Sequence, residues 1–359
     1  MRVIGYGSNF EIYGNDLQTY DKLPAGTYAV KFNPMSGFSL KKVDDFKQLE
    51  EKVYGNHAEK IEKVIEAFNR MNRSLGVIMS GDKGIGKSMF TQILAEKAVT
   101  IDMPVIIVDK AYKGIASFLE SIDQEVLVLF DEFEKVFDSR KDGIESQDDL
   151  LGLFDGMSQK KRIYAITVND LNRVNEFMIN RPGRFHYHFR FDYPAGEEIK
   201  TYLQDKVPTE FHGEISAVTN FARRIKLNYD CLRAIAFELS MGIAFSDAIR
   251  DLNILNISPQ RYDIEIVYEN AASAKIFRQQ LELFEESTST YGYVESDEIS
   301  VTFSPRDLTD VNGVLVCPAD KATIYYDDEN KKFTNKLNVK HIIITQVGTK
   351  DMHYNYKAL

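Results

Sequence analysis

The sequence predicts an α/β fold in which a parallel β-sheet is covered by helices on both faces. Short, continuous apolar runs alternate with helical segments, and a glycine-rich loop joins the first run to the helix that follows it. Continuous apolar strands, rather than strands of alternating polarity, are typical of parallel sheets buried on both sides. The strand candidates are residues 76–80, 104–109, 125–132 and 162–169, and helices are expected to begin near Lys87, Ile115 and Asp148.

Two segments are predicted on the N-terminal side of these strands. Residues 1–49 are expected to form a small β-rich N-terminal domain, because β-branched and aromatic residues lie there between Gly, Asn and Pro. Residues 57–74 predict an amphipathic helix, since apolar residues from Ile61 to Phe68 recur at helical spacing. This helix belongs to the main α/β region, for which we expect the bounds 50–195.

Two further segments follow the α/β region. Residues 196–257 contain helical patterns only and predict a helical subdomain. Residues 258–359 predict a separate α+β domain of ordinary domain size, with one helix near residues 273–286. The strand-like segments of this domain are residues 262–269, 291–296, 298–304, 313–318, 322–328 and 341–348.

Composition narrows the function classes. The 359 residues carry 44 Lys and Arg against 54 Asp and Glu, a formal net charge of −10. This balance argues against non-specific nucleic-acid binding, which relies on clustered positive charge. The two cysteines make no disulfide framework, and no apolar run approaches the roughly 20 residues that cross a bilayer. We therefore expect a cytoplasmic protein with no membrane partner.

The glycine-rich loop has the pattern of a phosphate-binding loop. Gly81, Gly86, Lys87 and Ser88 stand at the required spacing, directly after an apolar strand and before a helix. Glycines let backbone N–H groups surround a phosphate, the lysine adds charge, and the serine hydroxyl is a Mg²⁺ ligand. The alternative is a glycine-rich turn without a ligand. The full candidate set for nucleotide contact is Gly81, Asp82, Lys83, Gly84, Ile85, Gly86, Lys87, Ser88 and Met89.

A second element consists of two carboxylates at the end of an apolar strand. The stretch VLVLFDE ends in Asp131 and Glu132. Asp131 is expected to hold the Mg²⁺ shell together with Ser88, and Glu132 to orient and polarise an attacking water. The alternative is a solvated acidic turn. A glutamate that activates water favours a nucleotide hydrolase over a kinase, which must exclude water.

With these elements in order, residues from about 50 to 257 resemble an AAA+ ATPase, and more narrowly the AAA clade of protein-remodelling enzymes. Residues 150–194 have the shape of that clade's second region of homology. The resemblance implies a P-loop AAA+ core with a helical lid, ATP and Mg²⁺ as ligands, and ATP hydrolysis. It also makes Asn169 the sensor-1 residue, which would hold the lytic water or the γ-phosphate. A strand-end turn residue is the alternative.

The segment RPGR matches the family's arginine-finger segment. In family terms Arg184 is the stronger candidate, with Arg181 as its partner, and both would reach the nucleotide of the neighbouring subunit. A permanently charged guanidinium suits the charge that spreads over a transferring phosphoryl group. The resemblance therefore implies a homo-oligomer, which we expect to be a hexameric ring. The alternative is a charged β-turn built on the Pro-Gly pair.

Other matches to the family are weaker. Arg233 stands where some AAA+ branches, clamp loaders and initiators among them, place a sensor-2 arginine. A surface charge on an amphipathic helix explains it equally well. Tyr54 and Gly55 lie where a family loop contacts adenine, and a β-turn is the alternative there.

The resemblance leaves the substrate of the ring open. Tyr112, Lys113 and Gly114 offer an aromatic-x-Gly pore loop that would grip an extended polypeptide, with a bare connecting turn as the alternative. We expect a protein-remodelling ATPase with a protein substrate. A DNA-transaction ATPase of the clamp-loader or initiator kind is not favoured, and an assembly that uses ATP only to order its ring is a third possibility.

Overall fold

The computed structural model describes residues 1–46, 52, 54–55, 57–138, 144–155, 161–179, 181–254, 260–270, 272–283, 287–294, 297–311, 314–328, 331–334 and 338–347. The chain divides into two compact units, Met1–Phe191 and Asp192–Leu359. The predicted domain boundaries at residues 49/50 and 257/258 lie outside the described residues.

The first unit contains nine strands and five helices within the described residues. In chain order they are β1 (Arg2–Tyr6), β2 (Asn9–Tyr13), β3 (Thr27–Asn33), β4 (Gly37–Val43), α1 (His57–Arg70), β5 (Leu75–Ser80), α2 (Lys87–Thr100), β6 (Val105–Val108), α3 (Ile115–Glu120), β7 (Leu127–Phe130), α4 (Phe133–Val136), α5 (Leu151–Phe154), β8 (Ile163–Val168) and β9 (Phe185–Arg190).

Seven of these strands form one sheet in the order β4-β3-β6-β7-β8-β5-β9. All neighbours are parallel except β3 and β4, which form an antiparallel hairpin. Every residue of β5, β7 and β8 is buried, as the continuous apolar runs predict. The predicted α/β fold built on a parallel sheet is confirmed.

The strand order places a switch point at β5. The chain leaves β5 for β6, three strands away, returns through β7 and β8, and then adds β9 on the other side of β5. In open parallel sheets, ligands bind at the carboxyl ends of the strands beside such a point. The loop at residues 81–86, Asp131 and Asn169 follow β5, β7 and β8 at this edge.

The strand β9 approaches β5 closely because position 76 is a glycine. A Cβ at Gly76 would lie 2.2 Å from the carbonyl oxygen of Arg184 and 2.7 Å from the ring of Phe185. Neither contact is sterically possible, so any side chain at this position would push β9 away. Gly76 thereby holds the RPGR segment beside the strand that carries the phosphate-binding loop.

The N-terminal segment differs from its prediction as a separate β-rich domain. The hairpin of β3 and β4 joins the main sheet, with Thr27 to Ala29 paired parallel to Val105 to Ile107 of β6. The side chains from Thr27 to Val30 are buried, and burial of both faces requires the helices of the core. Among the described residues of the N-terminal segment, 1–46, only β1 and β2 form a sheet that is separate from the main one.

The second unit begins, in its described residues, with four α-helices, α6 (Gly196–Lys206), α7 (Ile215–Phe221), α8 (Tyr229–Ser240) and α9 (Phe245–Asp251). They lie in the segment that the sequence predicts to be helical. Asn228 caps α8, since its side chain accepts a hydrogen bond from the N–H of Cys231. No described helix in either unit combines the length and apolarity needed to cross a membrane.

Nine strands follow in the described residues of the second unit. They are β10 (Gln260–Tyr268), β11 (Ser273–Leu281), β12 (Thr288–Val294), β13 (Asp297–Phe303), β14 (Thr309–Val311), β15 (Val314–Pro318), β16 (Ala322–Asp328), β17 (Lys331–Thr334) and β18 (Val339–Gln346). One antiparallel sheet has the order β11-β10-β18-β15-β14 and the other the order β12-β13-β16-β17. Side chains from both sheets form a single hydrophobic core.

The α+β prediction for this domain is wrong in one element. The helix expected near residues 273–286 is the strand β11 as far as residue 281, and residues 284–286 lie outside the described part. Lys, Arg and Gln in this segment favour a helix, but Ala274 and Ile276 alternate into the core and pair with β10. Arg278 has φ +55°, and the strand is irregular at this point. The alternation of buried and exposed residues is interrupted there, so the strand is hard to recognise in the sequence. Between residues 260 and 347, the described residues contain 3₁₀ turns and no α-helix.

Truncation tests the place of the N-terminal hairpin. Deleting residues 1–15 removes only β1 and β2, so the melting temperature should stay within a few degrees of that of the full chain. Deleting residues 1–46 also removes Tyr28 and Val30, which are 6% and 1% exposed, and uncovers β6. This second deletion should lower the melting temperature by roughly 10 °C or more. Equal stability of the two shortened chains would contradict the shared sheet.

Candidate functional site

The loop between β5 and α2 has a backbone that only glycine permits. Gly81, Gly84 and Gly86 have φ of +145°, +75° and +99°. A Cβ at Gly81 would lie 2.3 Å from the side chain of Ile85 and 2.4 Å from the carbonyl oxygen of Phe191. Gly86 leads directly into α2, so the loop opens onto the N-terminus of a 14-residue helix. This conformation is the one that lets backbone N–H groups surround a phosphate.

The ammonium group of Lys87 is folded back into this loop. Its Nζ donates hydrogen bonds to the carbonyl oxygens of Gly81 and Asp82, each at 2.5 Å. The residue is 7% exposed, and burial lowers the pKa of Lys87, although the nearby carboxylates of Asp82 and Glu134 raise it. A phosphate in the loop would give the ammonium group a negatively charged partner in place of these neutral carbonyl oxygens.

The remaining loop residues divide by exposure. Ile85 is buried under the loop, and Lys83 and Ser88 are exposed. Asp82, Gly84, Gly86 and Met89 are half-buried. Ser88 is therefore accessible at the first turn of α2.

The carboxylate of Asp131 is held by a residue that the sequence analysis missed. The hydroxyl of Thr167 donates to Asp131 Oδ1 at 2.5 Å and accepts the N–H of Glu132 at 2.8 Å. Thr167 is 2% exposed. The register of the two parallel strands, with Phe130 opposite Ile166, places Thr167 beside Asp131. The sequence does place a threonine two residues before Asn169, but its role can be recognised only when β7 and β8 are known to be neighbours.

Ser88 and Asp131 supply oxygens of the kind that Mg²⁺ binds. The described residues contain no group of three or more His, Cys, Asp or Glu side chains that could hold a metal on their own. Mg²⁺ typically takes one or two protein oxygens and completes its shell with water and substrate phosphates. One hydroxyl and one carboxylate at the mouth of a phosphate-binding loop match that preference.

Glu132 has a backbone conformation that is uncommon outside glycine. Its φ is +47° and its ψ is +48°, a left-handed geometry that costs roughly 1–2 kcal/mol in an L-residue. The hydrogen bond from its N–H to Thr167 helps to hold this conformation. Left-handed residues of this kind cluster at functional sites, where the surrounding structure over-determines them.

The side chain of Glu132 lies among three groups. It forms an ion pair with Lys135, has Lys83 Nζ at 3.8 Å, and accepts a hydrogen bond from Asn169 Nδ2 at 3.3 Å. The hydrogen bond from Lys135 is the main cause that lowers the pKa of Glu132. The carboxylate is therefore ionised at neutral pH and can accept a hydrogen bond or a proton from water.

Asn169 joins the carboxylates of two residues. Besides the bond to Glu132, its Nδ2 donates to Glu134 Oε1 at 3.3 Å, and its backbone N–H donates to the same oxygen at 3.2 Å. Glu134 is 1% exposed and was not singled out by the sequence. The structure thus brings Asp131, Glu132 and Asn169 together at the edge of the sheet where the phosphate-binding loop begins.

The two arginines of the RPGR segment have different surroundings. Arg184 forms a bidentate ion pair with Asp155, with Nη2 at 2.8 Å from Oδ2, and its Nη1 donates to the carbonyl oxygen of Phe177 at 2.7 Å. Its side chain is 10% exposed. Arg181 is exposed, and its guanidinium lies over the ring of Phe177 at 5.3 Å. Asn180 and residues 156–160 lie outside the described part.

The predicted pore loop is anchored rather than free. The ring of Tyr112 lies 5.5 Å from that of Phe32 and 6.2 Å from that of Phe38, both on the β3–β4 hairpin. The buried carboxylate of Glu145 accepts the N–H of Gly114 at 2.8 Å and fixes the start of α3. Of the three candidate residues, Lys113 is the exposed one. These contacts match the alternative of a packed connecting turn.

The weaker candidates have local partners. Tyr54 is 6% exposed and has the ammonium of Lys52 at 5.4 Å from its ring centre, and Gly55 has φ +74°. Arg233 lies in the second unit, with its side chain 61% exposed and paired with Asp230 at 3.4 Å. This exposed ion pair is consistent with the alternative interpretation of Arg233 as a surface charge on an amphipathic helix.

One part of the chain is similar to a known protein family. Residues 77–193 match the family model described as ATPase family associated with various cellular activities (AAA). The matched range runs from β5 to just beyond β9, and it includes the loop, Asp131, Asn169 and both arginines. No curated protein sequence matches the chain.

The Arg184–Asp155 pair makes a testable contribution to stability. The hydrogen bond from Arg184 holds the pKa of Asp155 below its ordinary value of 3.8. The stabilisation is therefore complete above that ordinary value and is lost as the pH falls through the lower folded-state pKa. Asp155→Asn should lower the melting temperature by a few degrees at neutral pH, and the difference from the unaltered chain should close below about pH 4.

A matched control is Glu66→Gln, which weakens the exposed pair of Glu66 with Arg70 on α1. That variant should change the melting temperature very little, since exposed pairs contribute about 0–1 kcal/mol. A difference between Asp155→Asn and the unaltered chain that widens in acid would contradict the assigned role of Asp155.

Proposed function

Because the chain contains an AAA+ ATPase domain, we propose that it hydrolyses Mg²⁺-bound ATP as a ring of identical subunits and uses the energy to remodel a protein partner. One observation carries the proposal. Lys87, Asp131, Glu132 and Asn169 come from three separate strand ends and meet at the switch point of the sheet. This set supplies charge for the phosphates, a ligand for Mg²⁺ and a base for water.

The proposed roles follow from the contacts. The loop at residues 81–86 binds the phosphates through backbone N–H groups, and Lys87 exchanges its carbonyl partners for phosphate oxygens. Ser88 and Asp131 would hold Mg²⁺, which neutralises charge on the phosphates when bound. Glu132 accepts a proton from the attacking water. The contacts of Glu132 with Lys83 and Lys135 must loosen for this step, and phosphate oxygens that enter the loop compete with Glu132 for Lys83.

We assign the role of arginine finger to Arg181 in place of Arg184. Arg184 has its fork occupied by Asp155 and the Phe177 carbonyl of its own chain, and a bidentate pair of this kind is geometrically specific. Arg181 is exposed and three residues earlier, on the same turn. In this proposal Arg184 holds the turn, and Arg181 reaches the nucleotide of the neighbouring subunit.

Mixing variants tests a finger that acts between subunits. Lys87→Ala should bind no ATP, and Arg181→Ala should bind ATP but hydrolyse it roughly 10³-fold more slowly, the size of effect seen for such arginines. A mixture should recover part of the activity, because Lys87→Ala subunits supply intact fingers to Arg181→Ala sites. The measurement is phosphate release at several mixing ratios.

Arg70→Ala is the control, since Arg70 is an exposed arginine paired with Glu66. It should hydrolyse ATP at the rate of the unaltered chain. An Arg181→Ala chain with full activity, or no recovery at any ratio, would contradict a finger supplied by the neighbour. Retained ATP binding by Lys87→Ala would contradict the phosphate-binding loop itself.

A protein partner is the substrate class that the charges favour. The chain has a net charge of −10, which opposes a polyanion such as DNA. Arg233, the residue that pointed to a DNA-transaction enzyme, is paired with Asp230 on its own helix. The loop of Tyr112 presents Lys113 from a rigid base, which suits a contact surface better than a flexible grip.

Stimulation of hydrolysis distinguishes the substrate classes. An unfolded protein such as reduced, carboxymethylated lactalbumin should raise the rate of phosphate release, whereas single- or double-stranded DNA should not. The comparison needs matched concentrations and a fixed salt concentration, because DNA binding depends steeply on salt. Stimulation by DNA alone would favour the DNA-transaction class. A rate that neither ligand changes, with ATP altering only the oligomer size, would favour a structural assembly.

A further inference from the structure

A buried glutamate beside the nucleotide site has no role in the proposed mechanism. Glu134 lies on α4, two residues beyond Glu132, and is 1% exposed. Its Oε1 accepts both the backbone N–H and the side-chain Nδ2 of Asn169. Its Oε2 is buried and has no hydrogen-bond partner among the described residues. Burying a carboxylate is costly unless it is hydrogen-bonded, and Asn169 supplies both hydrogen bonds to Oε1.

The contacts of Asn169 fix which way its amide faces. Its Nδ2 lies 3.3 Å from Glu132 Oε1 and 3.3 Å from Glu134 Oε1. Glu134 Oε1 already accepts the backbone N–H of Asn169, and the Glu132 carboxylate only accepts hydrogen bonds. The NH₂ side of the amide, which has two hydrogens, must therefore face these two oxygens. The carbonyl oxygen of a planar amide then lies on the opposite side. Both hydrogens of Nδ2 are then used in hydrogen bonds, and the carbonyl oxygen of the side chain remains as an acceptor.

This orientation bears on what Asn169 can bind. Oxygens of a γ-phosphate are acceptors and need a donor, whereas a water molecule has two hydrogens to donate. An amide that offers only its carbonyl oxygen suits the water. Without Glu134, one hydrogen of Nδ2 would lose its partner and the amide could turn over.

We infer that Glu134 is a positioning residue that fixes the amide of Asn169, so that its carbonyl oxygen accepts a hydrogen bond from the attacking water. The inference rests on the proposed ATP hydrolysis. In that reaction the water oxygen bonds to the γ-phosphorus as the bond to the ADP oxygen breaks, and one water proton passes to Glu132. Asn169 holds the other hydrogen and takes no proton.

A four-member set of variants tests whether Glu134 acts through Asn169. Glu134→Ala should lower kcat roughly 10- to 100-fold, the cost of misplacing a reacting group, while the Kd for a fluorescent ATP analogue stays unchanged. In an Asn169→Ala background the same change should have almost no effect on kcat, since the amide is already absent. An equal loss in both backgrounds, or a weaker Kd with kcat unchanged, would overturn the inference.

Two conservative variants keep the test independent of folding. Glu134→Gln keeps a carbonyl oxygen at the reach of Oε1 and should retain most of the activity. Glu134→Asp keeps the charge but shortens the side chain by one methylene, and should lose kcat as Glu134→Ala does. The opposite ranking, with Asp active and Gln inactive, would show that charge rather than reach matters and would overturn the inference.

A measurement without turnover separates this inference from the proposed function. The side-chain amide signals of Asn169 in a ¹⁵N NMR spectrum are those that disappear in Asn169→Ala. The hydrogens of this amide group should exchange slowly with solvent in the unaltered chain and in Glu134→Gln, and fast in Glu134→Ala. Fast exchange in the unaltered chain would overturn the positioning role. A chain that hydrolyses no ATP but shows slow exchange would contradict the proposed function alone.

Discussion

The site depends on the close packing of β5 between β8 and β9. At its start, Gly76 admits the carbonyl oxygen of Arg184, and at its end Gly81 admits that of Phe191. The N–H of Phe191 donates to the carbonyl oxygen of Ser80 at 2.8 Å, and the N–H of Gly81 to that of Val168 at 3.2 Å. The phosphate-binding loop, the strand end before Asn169 and the RPGR segment are therefore fixed to one strand. A side chain at either glycine would separate them.

The charges at this edge of the sheet are arranged so that each carboxylate has a different environment. Asp131 accepts a hydrogen bond from a buried hydroxyl, Glu132 faces two lysines, and Glu134 is buried against an amide. Three acids within four residues would repel one another if they were equivalent. Thr167, on β8, bonds to Asp131, and Asn169, directly after β8, bonds to Glu132 and Glu134. In the proposed mechanism these different surroundings let one carboxylate hold a cation, one take a proton and one orient a neighbour.

The sequence predicts the parts of the site whose signal is local. The loop at residues 81–88, Asp131, Glu132 and Asn169 each follow a buried strand, and their roles need only the order of the elements. Thr167, Glu134 and Asp155 required knowledge of which strands and segments are neighbours. The same holds for the fold. The core strands are recognisable by composition, but β3 joins the core through parallel pairing with β6, and β11 is a strand only because β10 lies beside it. Arg181 and Arg184 look alike in sequence, but only Arg184 pairs with Asp155. Asp155 lies 29 residues away along the chain, so the sequence alone does not reveal this pair.

The hairpin of β3 and β4 also affects how the chain avoids aggregation. Without it, β6 would be an open edge of apolar residues, and such edges are templates for pairing with other chains. With it, the edge strand is β4, whose Lys41 and Lys42 are exposed. The order of synthesis adds a constraint, because β3 leaves the ribosome well before β6, the strand it must pair with. The hairpin must wait for β6, so a nascent chain that stalls between these strands would expose the apolar face of Tyr28 and Val30.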